Sequence, residues 1–235
     1  MLLPGPDATL PEALIFDLDG TVVDTETPEY EAIRAVWLEH GLDYTVVQFE
    51  RVIGTATGAG GWIDELEIAV GRWVDRDAAR AAHRVVHGRL TDALLPRDGI
   101  LALIGEAADA GVPMAIASNS PRWWVQARLE ATGLVDAFAS IVSVDDSSAP
   151  KPDPAPYREA CVAIGAEPRR SVAFEDSTTG VRSATAAGLY TIACAGPLTL
   201  GHDLSAADRI ITSHSDVTLA ELAGALAGRA PTMHS

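Results

Sequence analysis

Short apolar runs alternate with longer amphipathic segments along most of this chain. The runs are four to six residues long and are bounded by polar or turn residues, as the buried strands of a parallel sheet are. Helical patterns lie between them, and a glycine follows each where a left-handed cap would end it. This alternation predicts an α/β fold with a doubly wound parallel sheet. The expected strands are 13–16, 112–117, 141–144, 171–174 and 189–193, and the expected helices are 99–110, 122–132, 155–164 and 178–187.

One long segment breaks this alternation and contains no convincing strand. Because residues 27–94 directly follow the first strand, we expect a small helical cap domain there, inserted into a catalytic core of residues 1–26 and 95–235. A glycine-rich stretch, 54–61, does not follow a strand, so a dinucleotide site is not indicated. This stretch is either a linker between cap helices or a loop that faces the substrate. The helical patterns of the cap cover 29–40, 62–71 and 77–92.

Composition narrows the range of partners. The net charge of −16 repels nucleic-acid phosphates and anionic membranes. No apolar run is long enough to cross a bilayer, and residues 1–11 do not resemble a secretory signal. We therefore expect a cytoplasmic monomer or weak dimer that binds neither nucleic acid nor membranes. Cys161 and Cys194 lie in apolar segments without metal-ligand spacing, and we expect two reduced thiols.

Lysine occurs only once in the sequence. The 17 basic residues are sixteen arginines and Lys151. An ammonium group is a compact point charge, whereas a guanidinium is planar and forked. A single lysine therefore indicates a site that needs an ammonium group. In so acidic a chain, a phosphate ester would also need local positive charge or a metal.

Polar residues follow four of the expected strands. Ligands of open α/β sheets bind beyond the carboxyl ends of the strands, so these residues should meet in one crevice. Each alone could be a helix cap or a solvated loop, but four sets together with the lone lysine indicate a site. In chain order the sets are Asp17 and Asp19, then Ser118, Asn119 and Ser120, then Asp145, Asp146 and Lys151, and then Glu175, Asp176 and Ser177.

In order and setting, these sets resemble the four motifs of the haloacid dehalogenase superfamily. The matching segments are Asp17-Leu-Asp-Gly-Thr, the Ser118 motif, Lys151-Pro-Asp-Pro and Glu175-Asp-Ser, and they span nearly the whole chain. The inserted segment is similar to the cap of the β-phosphoglucomutase-like phosphatases. The resemblance implies a Rossmann-like core and an Mg²⁺-dependent phosphatase. Its substrate would be a small phosphorylated metabolite, such as a sugar phosphate.

The resemblance also implies roles for the acidic residues. Asp17 would attack phosphorus and form an aspartyl-phosphate. Asp19 would protonate the leaving oxygen and then remove a proton from the attacking water. Mg²⁺ would be held by Asp17, the Asp19 backbone carbonyl and Asp176, and Glu175 would orient these ligands.

The remaining matched residues would balance charge around the phosphate. Ser118 and the Asn119 amide would hydrogen-bond the transferring phosphoryl group, and Lys151 would neutralise it together with Asp17. A dianionic phosphate and an anionic nucleophile bring three negative charges, which Mg²⁺ and one lysine would offset.

Contacts to the rest of the substrate are less well defined. Arg51 and Arg122 could make a second anionic contact, and a solvated or helix-capping role is equally open for each. Trp123 and Trp124 are typical of core or hinge packing, and the six histidines form no ligand cluster. The candidate substrate-binding residues are Asn119, Thr25, Arg51, Thr55 and Arg122.

Other chemistries on the same scaffold fit less well. Haloacid dehalogenases lack the second aspartate and need no metal, whereas Asp19 and Asp176 are present here. Phosphonoacetaldehyde hydrolases use a cap lysine, and this cap has none. A regulatory binding module on the same fold should have lost part of the catalytic set, and none is missing.

A sugar-phosphate mutase is the closest alternative. In mutases of this subfamily, a histidine shortly after the Asp-Thr pair helps to hold the acid/base aspartate. Glu29 stands nearest that position here. As an anion it would repel Asp19 and leave it free to activate water, which favours hydrolysis.

Overall fold

The structure, a computed structural model, describes residues 9–51 and 61–229. Six strands in this part of the chain form one parallel sheet in the order β3-β2-β1-β4-β5-β6. The strands are β1 (Leu14–Phe16), β2 (Met114–Ala117), β3 (Ser140–Val142), β4 (Val172–Glu175), β5 (Tyr190–Cys194) and β6 (Arg209–Ile211).

Helices connect the strands and also fill the segment between β1 and β2. Within the described residues they are α1 (Glu26–Glu39), α2 (Val46–Phe49), α3 (Trp62–Val70), α4 (Arg76–Thr91), α5 (Ile100–Asp109), α6 (Arg122–Ala131), α7 (Ala155–Ala163), α8 (Thr178–Ala187) and α9 (Leu219–Ala227).

Both faces of the sheet are covered by helices. Along β1, Leu14 and Phe16 point into one core cluster with side chains of α5, α6 and α9. Ile15 points to the opposite face, where it packs with side chains of α7 and α8. Successive strand residues face opposite sides, so an unbroken apolar run is what a strand covered on both faces requires. The predicted doubly wound α/β fold is confirmed.

The differences from the predicted elements are local. All five predicted strands are present, but β6 and the helices α2 and α9 were not predicted. β6 is a three-residue edge strand with one exposed residue, Ile210, so it lacks the long apolar run of the central strands. Helix α1 begins at Glu26, three residues before the predicted start, because Pro28 is well tolerated in a first helical turn.

The helices between β1 and β2 have a core of their own. Side chains of α1, α2, α3 and α4 form most of a cluster that includes Trp37, Phe49 and Leu66 and is separate from the two clusters at the sheet; Leu198, from the segment after β5, also belongs to it. The connections into and out of this region lie side by side, since Val23 forms an antiparallel bridge with Pro96. The helical region therefore leaves and rejoins the sheet at one place.

Cys161 and Cys194 are both unpaired and buried. None of the described helices is both long enough and apolar enough to cross a membrane.

His214 is a buried histidine that lies near Arg97 and Asp98. Burial, reinforced by Arg97, lowers its pKa from 6.5 to about 4. Between pH 6.5 and pH 4 the unfolded chain binds a proton at His214 that the folded chain does not. The free energy of unfolding is therefore highest above pH 6.5 with respect to this group, and it falls as the pH falls towards 4. The loss should be about 3 kcal/mol.

Urea unfolding from pH 7 to pH 4 tests this, with His214→Phe as the comparison because that ring can still pack against Phe174. The free energy of unfolding of the wild type should fall more steeply with decreasing pH than that of the variant. Parallel curves would show that His214 does not contribute.

Candidate active site

The four polar sets lie at the carboxyl edge of the sheet. Asp17 follows β1, Ser118 follows β2 and Asp176 follows β4, and these strands are parallel neighbours. The Asp17 backbone N–H donates to the Phe174 carbonyl at 3.0 Å, which continues the pairing of β1 and β4 beyond the strand ends. Strand pairing therefore brings residues that are far apart in the sequence, such as Asp17 and Asp176, to one edge.

A buried group of three carboxylates forms the centre of this edge. Asp17, Glu175 and Asp176 each offer an oxygen within 4.8 Å of the others, so the group could hold a metal ion. Oxygen donors of this kind suit a hard divalent cation. Gly20 leaves room for the Asp176 carboxylate, since a Cβ at this position would lie 2.2 Å from one of its oxygens. The φ of +82° at Gly20 also favours glycine.

Lys151 is the cation within this group of carboxylates. Its Nζ donates to Asp17 Oδ1 at 2.5 Å and to Glu175 Oε1 at 2.6 Å, and its side chain is only 3% exposed. Tyr157 also donates to Glu175 Oε1, at 2.6 Å. A buried ammonium bonded to two carboxylates is a charge that the fold holds in one place.

Glu175 is committed to protein contacts on both of its oxygens. In addition to Lys151 and Tyr157, it accepts from the backbone N–H of Asp176 at 3.2 Å and from the Ser177 hydroxyl at 3.3 Å. A Cβ at Gly180 would lie about 2 Å from this carboxylate, so only glycine fits there. Both oxygens of Glu175 are therefore already bonded within the protein.

Burial is the largest influence on the pKa values of the two aspartates in this group. Burial raises the pKa of Asp17 well above its usual value; Lys151 opposes this rise, and Glu175 and Asp176 add to it. Burial and Glu175 likewise raise the pKa of Asp176. Burial lowers the pKa of Lys151, but Asp17 and Glu175 outweigh it and the pKa is raised. A divalent cation beside Asp17 and Asp176 would favour their ionised forms.

Asp19 lies in a different environment from Asp17. Its Oδ1 accepts from the Thr25 hydroxyl at 2.6 Å and from the Trp124 indole Nε1 at 2.8 Å, and its Oδ2 accepts from the Ser120 hydroxyl at 2.6 Å. All three donors are neutral. Thr25 is a predicted substrate-binding residue; in the structure its hydroxyl donates to Asp19 and makes no capping bond to α1.

Ser118 and Asn119 brace the loop around Lys151 and Ser120. The buried Ser118 hydroxyl accepts from the Ser120 backbone N–H at 3.0 Å. Asn119 Oδ1 accepts from the Lys151 backbone N–H at 2.9 Å, and Asn119 Nδ2 donates to the Lys151 carbonyl at 3.3 Å. The Asn119 side chain, expected to contact substrate, thus fixes the backbone of Lys151.

Arg122 and Arg51, the two candidate arginines, make their described contacts away from the carboxylate group. Arg122 pairs with Asp146 at 2.8 Å and donates to the Ile141 carbonyl, which leaves its guanidinium committed beside β3. Arg51 is exposed and lines a surface cleft with Thr178 and His202. Thr55, like most of the glycine-rich stretch, lies outside the described residues.

Glu29, the residue nearest the position of the mutase histidine, faces two histidines of α4. Its Oε2 lies 3.1 Å from His83 Nε2 and 3.4 Å from His87 Nε2. Repulsion between Glu29 and Asp19 is expected from the sequence to leave Asp19 free. In the structure, three hydrogen-bond donors hold the Asp19 carboxylate.

Several site residues were not identified from the sequence. Trp124 was assigned to packing, although its place in the first turn of α6, directly after the Ser118 motif, is a usable signal. Tyr157 lies in the first turn of α7, six residues after Lys151. Arg97 donates to the Gly20 carbonyl and to the Ala195 carbonyl, so it ties the loop after β1 to the end of β5. No short-range pattern marks Arg97.

Comparisons with known proteins agree with this geometry. Residues 14–194 match the model of the haloacid dehalogenase-like hydrolase family. The chain is 34% identical over 195 residues to the phosphoglycolate phosphatase of Rhodospirillum rubrum, covering 78% of this chain and 79% of that protein. It is 30% identical over 213 residues to the validoxylamine A 7'-phosphate phosphatase of Streptomyces hygroscopicus subsp. limoneus, covering 88% and 92%.

A solved structure gives a similar result. The crystal structure of a substituted CbbY from Rhodobacter sphaeroides in complex with xylulose-(1,5)bisphosphate superposes with a TM-score of 0.71 at 27% sequence identity. The match covers 88% of this chain and 96% of that one.

Proposed function

Because this chain belongs to the haloacid dehalogenase-like hydrolase family and is a phosphoric monoester hydrolase, we propose that it hydrolyses a small phosphorylated metabolite through an aspartyl-phosphate on Asp17. We also propose that it requires Mg²⁺. It acts in the cytoplasm as a monomer or weak dimer, and the net charge of −16 supports the weak self-association.

The observation that carries the proposal is the contrast between two aspartates on one loop. Asp17 is buried against the Lys151 ammonium and beside two further carboxylates. Asp19 is held by three neutral donors and makes none of these ionic contacts. Two carboxylates in different environments can take different roles in one reaction. Asp17 is therefore the nucleophile, and Asp19 is the acid and base.

Asp17 and Asp19 act in two steps. In the first, an Asp17 carboxylate oxygen bonds to phosphorus while the bond from phosphorus to the leaving oxygen breaks, and Asp19 gives that oxygen its proton. In the second, a water oxygen bonds to phosphorus while the bond to Asp17 breaks, and Asp19 takes a proton from the water. Inorganic phosphate and the free alcohol result, and both aspartates return to their starting state.

The carboxylate group fits a hard divalent cation. Asp17, Asp176 and the Asp19 backbone carbonyl would hold Mg²⁺, with Glu175 orienting the two carboxylates from the protein side. When bound, Mg²⁺ would supply positive charge next to the phosphate oxygens. Lys151 would add a fixed positive charge on the side of Asp17 that it already contacts. The Ser118 hydroxyl would donate a hydrogen bond to the phosphoryl group.

The helical region acts as a cap over this site. Its separate core and its paired connections at Val23 and Pro96 support a unit of residues 27–94 that moves as a body. A closing cap excludes water and limits substrate size.

We therefore expect a folded phosphoprotein to be a poor substrate. Its kcat/KM should be at least about a hundredfold lower than that of a small ester. Phosphate release from a phosphoprotein and from glycerol phosphate under the same conditions tests this. Equal rates would contradict a closing cap.

A panel of phosphorylated metabolites with Mg²⁺ present tests the proposed function. The relatives act, by their names, on phosphoglycolate and on validoxylamine A 7'-phosphate, and the CbbY structure holds a sugar bisphosphate. Small sugar and carboxylic acid phosphates therefore belong in the panel. We expect release of inorganic phosphate from at least one of them. No release from any ester, with Mg²⁺ present, would contradict the proposal.

The same assay separates hydrolysis from mutase activity. β-Glucose 1-phosphate with a trace of the 1,6-bisphosphate can be followed by ³¹P NMR. A hydrolase gives inorganic phosphate as the main product. Accumulation of glucose 6-phosphate with little inorganic phosphate would instead identify a mutase.

A further inference from the structure

Trp124 connects the proposed acid/base residue to the helical region. Its indole Nε1 donates to Asp19 Oδ1 at 2.8 Å from the first turn of α6. The neighbouring Trp123 is 69% exposed, and its ring contact is with Trp124. One of two adjacent tryptophans is thus directed into the site while the other faces solvent.

The Trp124 ring is packed by groups from two helices. The His87 ring of α4 stacks on it at a centroid distance of 5.6 Å and an angle of 21°. The Arg128 guanidinium of α6 lies 4.8 Å from its ring centroid and also donates to the Thr91 carbonyl at the end of α4. The stack continues from His87 to His83 and from His83 to Trp62, all within the helical region.

We propose that Trp124 is a positioning residue for Asp19, and that its stacking on His87 makes this positioning depend on the helical region. The inference rests on the proposed function, because it concerns how Asp19 transfers protons. It assigns a role to a residue outside the four motifs.

The chemistry of the donors explains why the indole matters. The hydroxyls of Thr25 and Ser120 can rotate and can either donate or accept, but an indole N–H can only donate. The Trp124 N–H can therefore contact Asp19 only as a donor to Oδ1, along a direction that its rigid ring fixes. The two hydroxyls can rotate to follow the carboxylate, so the indole is the contact that sets its orientation.

The stack explains how the helical region would take part. His87 belongs to α4 and Trp124 to α6, so a movement of the helical region relative to the sheet changes the packing of the indole. The indole is rigid, and a shift of its ring shifts its N–H with it. A misplacement of about 1 Å is enough to weaken a catalytic contact substantially.

Trp124→Phe removes the N–H and keeps an aromatic ring, and Trp123→Phe is the matched control. With 2,4-dinitrophenyl phosphate, whose leaving oxygen needs no proton, the first step should remain fast. The second step requires Asp19 as a base, and its rate should fall about tenfold. Stopped-flow should then show a burst of the phenolate close to one equivalent of enzyme, followed by slow turnover. Trp123→Phe should match the wild type.

The outcomes separate this inference from the proposed function. A Trp124→Phe variant with wild-type turnover and no burst contradicts the positioning role alone. So does slow turnover without a burst, because the first step would then be affected. A wild-type protein that hydrolyses neither this ester nor any other contradicts the proposed function itself.

Two further measurements do not depend on the folding of Trp124→Phe. In the ¹⁵N-labelled protein, Asp19→Asn should shift the indole N–H signal of Trp124 and leave that of Trp123 in place; an unmoved Trp124 signal contradicts the contact. His87→Ala should slow the same second step, and His87→Phe, which restores a ring, should recover part of the rate. Equal rates for His87→Ala and the wild type would contradict the link to the helical region.

Discussion

Replacing Asp17 with asparagine should lower kcat by about four orders of magnitude or more, since the proposed reaction then has no nucleophile. The fold should be preserved. The carboxylate of Asp17 is destabilised by burial, and Lys151 keeps Glu175 as a partner in the variant. Thermal unfolding should therefore give a melting temperature close to that of the wild type. Steady-state rates with an aryl phosphate measure the loss.

Asp77→Asn is a suitable control for this experiment. It makes the same chemical change on α4, where the Asp77 side chain is 98% exposed. Its kcat should equal that of the wild type. If Asp17→Asn also kept most of the activity, Asp17 would not be the nucleophile and the mechanism proposed above would be wrong.

Loss of the metal should have the second largest effect. Activity should disappear in EDTA and return with Mg²⁺. Asp176→Ala should be about a thousandfold slower and should not respond to added Mg²⁺, since a ligand of the carboxylate group is gone. Asp109→Ala, at the exposed end of α5, is the matched control and should respond like the wild type.

Binding can also be measured without activity. A ligand that binds the folded state raises its stability, so Mg²⁺ should raise the melting temperature of the wild type. It should raise that of Asp176→Ala much less. Full activity in the presence of EDTA, or an equal response of both proteins to Mg²⁺, would contradict a metal site at Asp176.

The edge of the sheet was predictable from the sequence because its geometry follows a simple rule. Parallel strands end at the same edge, so polar residues after separate apolar runs must lie together. The rule places Asp17 and Lys151 at the same edge, although 134 positions separate them, and the resemblance to the family supplied their pairing. The single lysine in an arginine-rich chain also indicates, from composition alone, a site that needs an ammonium group.

The surroundings of Asp19 were not predictable in the same way. Its donors come from the start of α1, the loop after β2 and the first turn of α6, and their meeting depends on side-chain directions. Thr25 was therefore assigned to substrate and Trp124 to packing. The same holds for Arg122, since nothing local reveals that Asp146 and the Ile141 carbonyl bind its guanidinium.

The most direct test of the central claim is to find the phosphoryl group on Asp17. In Asp19→Asn the second step lacks its base, so an activated aryl phosphate should leave the aspartyl-phosphate in place. Acid quenching and peptide mass spectrometry should then locate one phosphoryl group on the peptide that contains Asp17. Release of the phenolate with an unmodified Asp17 peptide, or a phosphoryl group on another residue, would contradict the account.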